Sequence, residues 1–356
     1  LVSAQVAQAL YWLALLPLAW TVAVVRLFAR LPVADVDVSL HPMIVFLFFV
    51  LLTGGMMIHA TQPDWWSRLA RLVRRRALAS GTLAAGLATV ALTGAVALSR
   101  PDGRLHVWFL DVGHSNAVLV QTPGGAQILI DGGQYPSRLL TALGDRLPFN
   151  DRQLDALILT QPDETEYAAL EAVASRYDIA VTLSNGHPVL ADTFLTLQDQ
   201  LNAQPWVDVV AGYRLELDDG TRLDVLNPLA PPEMGESLDA HALVVRLSYG
   251  DASFLLTSDV SIDTQRALLD SGQGLHATVL QLPQHGSAGA LDPQFLDAVQ
   301  PQIAVVQADR ANRRGDPNAD TLALLGDTPV YRTDQSGALH ISTDGRDLWI
   351  EPERAG

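Results

Sequence analysis

FLDVGHSNAVLVQTPGGAQILIDGG, residues 109–133, is a series of short apolar segments separated by the turn-forming sequences GHS and PGG. Together with the residues just before it, the stretch contains three candidate strands, at 105–112, 116–122 and 127–133. Short apolar runs bounded by glycine, proline and small polar residues are typical of strands joined by tight turns. The stretch therefore predicts a β-meander.

The chain after this meander alternates between strand and helix patterns. ALILT, residues 156–160, is a short apolar run that predicts a buried strand, and a polar break separates it from a helical pattern at 164–176. Further strand and helix patterns follow as far as residue 351. A run of strands followed by alternating strands and helices indicates a layered α/β domain.

Four stretches together resemble the metallo-β-lactamase-fold domain found at the C-terminus of ComEC-type DNA-uptake channels of natural competence. These stretches are 109–133, SFLLTSDV at 253–260, VLQLPQHGSAG at 279–289, and the closing region 304–341. The resemblance covers nearly all of residues 104–351. It implies an αββα sandwich over residues 104–356, preceded by transmembrane α-helices.

The resemblance also implies a site at the end of the strand 156–160. In this family that strand is followed by the metal-binding pattern His-x-His-x-Asp-His, in which two histidines bind one metal ion and the Asp–His pair binds the second. The matching positions here are Gln161, Asp163, Thr165 and Glu166. We therefore expect vestigial positions with no catalytic residue, in a domain of hydrolase ancestry that is inactive.

A rebuilt metal site is the alternative to a lost one. Asp163, Glu166, Asp259, His285 and His114 would have to meet at the sheet edge to form it. Oxygen-rich ligand sets suit Mg²⁺ or Mn²⁺ better than Zn²⁺. A metal ion held in this way activates water for phosphodiester hydrolysis.

We favour purely structural roles for these residues over a metal site. Asp163 follows a proline and closes a turn, and the acids at 164–166 suit the N-terminus of a helix. Asp131 is interpreted as a turn residue, Asp259 as the cap of the helix that follows it, and His285 as a loop residue. We therefore expect no resident cofactor, with a divalent ion (Zn²⁺, Mn²⁺ or Mg²⁺) at low occupancy as the alternative.

The first hundred residues have the character of a membrane region. Three uncharged, mostly apolar runs, at 1–25, 39–62 and 77–99, each reach the ~20 residues that a transmembrane helix needs. The segment 63–76 between the second and third runs has the tryptophan pair and arginine-rich pattern of an amphipathic helix on anionic lipid. We predict about three transmembrane helices in residues 1–100.

The sign of the net charge changes near residue 100, where the membrane-like region ends. Residues 1–100 contain eight arginines and three aspartates, whereas the remainder contains 15 arginines and 36 acidic residues. Five of the arginines lie between 68 and 76, and such clusters favour the cytoplasmic face of a membrane. The domain 104–356 is therefore predicted to lie outside the cytoplasmic membrane of a multi-pass protein.

The resemblance implies a part in the import of DNA. The expected partners are membrane lipid, upstream channel helices of the same or a companion chain, and DNA passing through the channel. An acidic surface repels DNA, so the soluble domain alone is not expected to bind DNA strongly. A residual metal-dependent phosphodiesterase or nuclease is one alternative, and a non-catalytic scaffold for an envelope partner is the other.

The predicted orientation can be tested with reporter fusions after Gly356. Because the arginine cluster should remain in the cytoplasm, a phosphatase reporter at this position is expected to be active and a cytoplasmic fluorescent reporter dark. The reverse pattern would contradict the orientation.

Overall fold

The structure, a computed structural model, describes residues 101–148, 151–311 and 313–354. The predicted transmembrane runs and the segment 63–76 lie outside the described residues. Among the described residues, no helix has the length and apolar character needed to cross a bilayer.

An eight-stranded sheet contains the predicted meander at 105–133. In spatial order its strands are β17 (Leu348–Pro352), β16 (Leu339–Thr343), β1 (Leu105–Phe109), β2 (Val118–Gln121), β3 (Gln127–Ile130), β5 (Ala156–Leu159), β7 (Thr182–Ser184) and β8 (Trp206–Asp208). The first five are antiparallel neighbours, and the last three continue in parallel.

A seven-stranded sheet is formed by the second half of the domain. Its first four strands are parallel and its remaining pairs are antiparallel. In spatial order they are β15 (Val330–Arg332), β14 (Ile303–Val306), β13 (Val279–Gln281), β12 (Ala252–Leu256), β11 (Val244–Tyr249), β10 (Arg222–Asn227) and β9 (Arg214–Glu216). A small parallel pair, β4 (Gln153–Leu154) and β6 (Asp178–Ile179), lies apart from both sheets.

Short helices connect the strands. They are α1 (Pro136–Arg146), α2 (Glu164–Tyr167), α3 (Leu170–Ala174), α4 (Asp192–Leu201), α5 (Leu238–His241), α6 (Ile262–Asp270), α7 (Pro293–Val299), α8 (Ala319–Leu324), α9 (Thr333–Ser336) and a 3₁₀ turn at Pro283–Gly286. The predicted helix at 164–176 is two shorter helices, α2 and α3, because the chain turns between them.

The inner core lies between the two sheets. Strand β1 alternates, so Val107 and Phe109 are fully buried while His106 and Trp108 are half-buried on the opposite face. The buried side chains of β1 belong to one apolar cluster with Phe254 and other residues of the seven-stranded sheet. Burial of facing apolar surfaces is the main force that holds such layers together.

Helices cover the outer face of each sheet. Leu143 of α1 and Leu197 of α4 pack in the cluster on the eight-stranded sheet, and Leu268 of α6 and Phe295 of α7 pack in the cluster on the seven-stranded sheet. The layers are therefore helix, sheet, sheet and helix. The predicted α/β class is confirmed.

Several elements between 178 and 216 were not predicted. Strands β7, β8 and β9 have only three residues each, and the side chains of β8 and β9 are partly exposed. Runs this short contain too little periodicity to be distinguished from loops.

Because Phe254 is buried in the inner core, shortening its side chain should strongly destabilise the domain. Phe254→Ala should lower the free energy of unfolding of residues 101–356 by about 3–5 kcal/mol, because a fully buried ring leaves a cavity between the sheets. Leu324→Ala, at a position 43% exposed, should cost less than about 1 kcal/mol. Urea titrations followed by circular dichroism measure both, and equal costs would contradict the assignment of the core.

Candidate functional site

Six loops meet at one edge of the two sheets. They follow β1, β5, β10, β12, β13 and β14, and the hydroxyl groups of Thr160 and Ser258, in the loops after β5 and β12, lie 2.7 Å apart. A cavity of about 310 Å³ opens at this edge. It is lined by six of the seven predicted site residues, Gln161, Asp163, Thr165, His114, Asp259 and His285, with Asp239, Gln284, Ser287, Arg314 and Asp316.

The seventh predicted residue, Glu166, is fully buried in α2 beside the cavity. Its backbone carbonyl accepts hydrogen bonds from the amides of Gly132 and Gly133, both at 2.9 Å, which hold this helical turn against the end of β3. Burial, and then the charges of Asp259 and Asp131, raise the pKa of Glu166 well above its ordinary value.

Backbone and side-chain amide groups donate hydrogen bonds to the oxygens of Glu166 and Asp259. The backbone amide of Asn116 donates to Glu166 Oε2 at 2.8 Å, and its side-chain amide lies 3.4 Å from Glu166 Oε1 and 3.3 Å from Asp259 Oδ1. Gln161 Nε2 donates to Asp259 Oδ2 at 3.0 Å. Neutral amides thus perform the bridging that a cation performs between two carboxylates.

His285 presents one ring nitrogen to this group. Its Nδ1 lies 2.9 Å from the carbonyl oxygen of Gln307, which can only accept, so Nδ1 carries the proton. In the neutral ring Nε2 is then unprotonated, and it lies 3.7 Å from Asp259 Oδ1. A backbone carbonyl that fixes the tautomer in this way is typical of histidines that bind metal ions.

His114 lies against His285 in the cavity wall, with the ring centroids 4.3 Å apart and the ring planes tilted by 47°. Burial lowers the pKa of His114 to about 4, and the neighbouring His285 and Arg314 act in the same direction. His114 is therefore neutral at pH 7, and its approach to Asp316 at 3.6 Å is not an ion pair under those conditions.

The residues do not fit a two-metal centre. Asp163 accepts hydrogen bonds from the backbone amide and the hydroxyl group of Thr165, at 2.8 and 2.6 Å, and so caps α2. Gln161 directs its amide hydrogens at Asp259. The groups at these positions are therefore occupied with each other, and a neutral hydroxyl and amide are poor ligands for a zinc-like ion.

A single ion does fit. One ligand atom from each of Glu166, Asp259 and His285 lies within 4.8 Å of the others. Gln161 Oε1 is buried and makes no hydrogen bond to the described part of the chain. Two carboxyl groups and an imidazole form a mixed oxygen and nitrogen set that suits Mn²⁺ better than a structural zinc.

Two of the structural interpretations are wrong. Asp259 does not cap α6, because the Ser261 side chain accepts the hydrogen bond from the Thr264 amide. Asp131 is not an ordinary turn residue, since it is fully buried and accepts two hydrogen bonds from Thr160, at 2.8 and 2.7 Å. His285 does lie in a turn, but it is buried.

Sequence reasoning missed the residues that orient the site. Asn116, Asp239, Gln281 and Gln307 were not among the predicted site residues. The two glutamines follow apolar strand residues in β13 and after β14, where a buried amide requires a partner. A glutamine directly after an apolar strand run could therefore have been singled out from the sequence.

Comparison with curated proteins gives two relatives. ComE operon protein 3 of Bacillus subtilis (strain 168) is 25% identical over 342 residues, which cover 88% of this chain and 42% of the relative. Competence protein ComA of Neisseria gonorrhoeae is 25% identical over 244 residues, covering 68% and 33%. The chain is similar to ComEC-type competence proteins. The predicted resemblance is confirmed, and the chain spans less than half the length of either relative.

The scan against family models and the comparison with solved structures give weaker similarity. No family model matches the chain. The metallo-β-lactamase fold protein YhfI from Bacillus subtilis is 13% identical, with a TM-score of 0.45, and covers 70% of this chain and 100% of that protein. Igni18, a metallo hydrolase from Ignicoccus hospitalis, is 14% identical, with a TM-score of 0.40, and covers 66% and 98%.

Asp131 predicts a pH dependence of stability. Burial raises its pKa from 3.8 to about 7, so the native state keeps a proton that the unfolded chain loses. The free energy of unfolding should fall as pH rises from about 4 to about 7 and then level off. Asp131→Asn keeps the shape and removes this titration, so it should flatten the fall. Urea titrations of both proteins between about pH 4 and pH 8 measure the effect, and parallel profiles would contradict it.

Proposed function

We propose that the chain is part of a ComEC-like competence membrane protein, and that its domain 104–356 has a metallo-β-lactamase-like fold without two-metal chemistry. Three observations support this: the two competence relatives, the four motifs between residues 109 and 341, and the four-layer architecture. Function must be argued from the site because a fold alone hosts many activities.

The membrane part of the proposal concerns residues 1–100. The similarity to ComE operon protein 3 covers 88% of 356 residues, which is more than the residues after 100 contain. The similarity therefore extends into the first hundred residues, where the three apolar runs lie. We assign the chain to the cytoplasmic membrane, with the domain on the outer side and with channel helices, lipid and imported DNA as its partners.

The proposed loss of catalysis rests on the amide groups that donate hydrogen bonds to the carboxyl groups of Glu166 and Asp259. A two-metal hydrolase holds its ions ~3.5–4 Å apart with ligands that have free lone pairs. Here Asn116 and Gln161 direct amide hydrogens at Glu166 and Asp259, and Asp163 caps a helix. The domain keeps its layers because its cores do not depend on the site, while the carboxyl groups of the described site are engaged with amides.

A residual phosphodiesterase with one metal ion is the second candidate. It is favoured by the compact set of Glu166, Asp259 and His285 and by the fixed tautomer of His285. A divalent ion bound there would polarise a phosphate oxygen and lower the pKa of a bound water. Asp239 and Arg314 also line the cavity and would contact what binds beside the ion.

Metal content and nuclease activity decide between the two. The purified chain is expected to hold less than one equivalent of Zn²⁺ or Mn²⁺ by mass spectrometry and to leave single-stranded DNA uncut. The combined change Gln161→His, Asp163→His, Thr165→Asp and Glu166→His should raise metal uptake, because Asp259 and His285 remain to complete a ligand set.

Two aspartates of the same cavity provide the matched comparison. If the second candidate holds, Asp259→Asn should abolish metal retention and cleavage, whereas Asp239→Asn should retain the metal because it lies outside the three-ligand set. Two tightly bound ions together with cleavage that depends on Asp259 would overturn the proposed loss.

A further inference from the structure

Four side chains form a hydrogen-bonded row across the antiparallel part of the eight-stranded sheet. Asp102 Oδ1, in the segment that leads into β1, lies 2.9 Å from His106 Nε2 on β1. His106 Nδ1 lies 2.9 Å from His340 Nε2 on β16, and His340 Nδ1 lies 3.2 Å from Glu351 Oε2 on β17. We call the row of Asp102, His106, His340 and Glu351 the histidine bridge.

The two rings of the histidine bridge meet through a hydrogen bond. Their nitrogens are 2.9 Å apart, which is the usual length of a hydrogen bond from nitrogen and shorter than the ~3.5 Å of atoms in van der Waals contact. Two nitrogens that bind one tetrahedral zinc ion lie about 3.3 Å apart, because each zinc–nitrogen bond is about 2.0 Å long. The observed distance therefore fits a proton between His106 and His340 better than a metal ion.

The histidine bridge needs one proton more than two neutral rings supply. Each neutral imidazole has a single N–H, and an ionised carboxylate can only accept. One N–H must point at Asp102, one at Glu351, and one must lie between the rings. Two neutral rings provide two of these three hydrogens. The third makes the pair an imidazole and an imidazolium, with one positive charge.

The carboxyl groups at the two ends of the bridge do not supply this proton. Burial alone would raise the pKa of Asp102, but the hydrogen bonds from His106 and from the Arg104 amide outweigh burial and lower that pKa. The side chain of Glu351 is 73% exposed, and an exposed glutamate is ionised at neutral pH. Both carboxylates therefore act only as acceptors.

The extra proton belongs to His106 rather than to His340. Burial lowers the pKa of His340; the contact with Glu351 opposes this, while His106 and Arg146 act in the same direction as burial. His106 is therefore the imidazolium, which donates from Nε2 to Asp102 and from Nδ1 to His340 Nε2. His340 stays neutral and donates from Nδ1 to Glu351.

Trp108 packs against both rings. Its ring is parallel to that of His340 within 9° and to that of His106 within 11°, with centroids 4.7 and 5.4 Å away. A cation within about 6 Å of an indole face is stabilised by the quadrupole of the ring. The stacking contact therefore favours the charged form of His106.

The surrounding charges favour a cation as well. Strand β2, the other neighbour of β1, places Gln121 and Leu119 opposite His106 and Trp108 and so brings no titratable group. Four carboxyl groups and two guanidinium groups lie in or beside the bridge, namely Asp102, Asp145, Glu351, Glu353, Arg104 and Arg146. The excess of two negative charges stabilises one bound proton.

We propose that His106 and His340 share one bound proton and so form a pH-sensitive tie between the segment leading into β1 and the β16–β17 hairpin. When the proton is lost, two nitrogen lone pairs face each other unless one ring changes its tautomer and gives up a carboxylate. Asp102 lies in a loop segment and Glu351 in a strand, so the Asp102–His106 bond is the one that breaks. The tie is independent of the proposed competence role and uses none of the metal-ligand candidates.

The charge state of the rings can be read directly by NMR. The test uses the full chain in phosphatidylcholine nanodiscs, with ¹⁵N-labelled histidine and a chelator present. At about pH 7.5, roughly one unit above the ordinary histidine pKa, one ring should still carry protons on both nitrogens. His106→Asn should remove that signal, whereas His276→Asn, at an exposed histidine outside the bridge, should keep it.

Two exposed aspartates give the matched comparison. Asp102→Asn should lower the pH at which the charged signal disappears by about one unit, because it removes an opposite charge in contact with His106. Asp347→Asn, in the exposed β16–β17 turn, removes the same charge elsewhere and should leave that pH unchanged. His340→Phe keeps a ring on Trp108 but removes the acceptor for His106 Nδ1, so it should also lower that pH.

Hydrogen exchange of peptides covering residues 101–109, corrected for its intrinsic pH dependence, follows the tie itself. Exchange in the native chain should become about fivefold faster between about pH 6 and about pH 9, the effect of losing one hydrogen bond, and Asp102→Asn should be equally fast at both. Any of four results would overturn the proposal: no doubly protonated ring at about pH 7.5, an equal shift in Asp347→Asn, exchange that does not depend on pH, or loss of the ring N–H signals when one equivalent of Zn²⁺ replaces the chelator, which would make the facing nitrogens a metal site.

Discussion

Two buried glutamines join the sheets beneath the candidate site, and the geometry of the site depends on them. Gln281, at the end of β13, accepts from the amides of Thr257 and Ser258 and donates to Asn116 Oδ1 at 2.9 Å and to Gln307 Oε1 at 2.8 Å. Gln307 in turn donates to two carbonyl oxygens of the β1–β2 loop. Because unsatisfied amides are costly in a low-dielectric interior, this network fixes the loop in one position.

The network also determines which way the Asn116 amide faces. Since Asn116 Oδ1 accepts from Gln281, its hydrogens must point toward Glu166 and Asp259. These carboxyl groups therefore find hydrogen-bond donors in the protein itself, and burial raises the pKa of Glu166. The result is a buried acidic cluster whose oxygens accept hydrogen bonds from the protein's own amides.

The sequence predicted those parts of the molecule in which local pattern and burial agree. The predicted strands at 105–112, 116–122, 127–133 and 156–160 are buried apolar runs between turns, and they were found; the two-residue β4 and the three-residue β7 and β8 were not. Gln161, Asp163, Thr165, Asp259, His285 and His114 line one cavity, which is the meeting of residues that the alternative of a rebuilt metal site required. Local pattern did not indicate that Glu166 is buried, because an acid in the first turn of a helix is ordinarily solvated. Nor did it reveal the glutamine network, which depends on residues 165 positions apart.

A crystal structure of residues 101–356 grown with Mn²⁺ tests the central claim most directly, because anomalous scattering locates each ion. The account predicts no more than one partly occupied peak, between Glu166, Asp259 and His285, with Asp163 still capping α2 and Gln161 still donating to Asp259. Two full peaks ~3.5–4 Å apart, with Asp163 turned away from Thr165 to bind one of them, would contradict it.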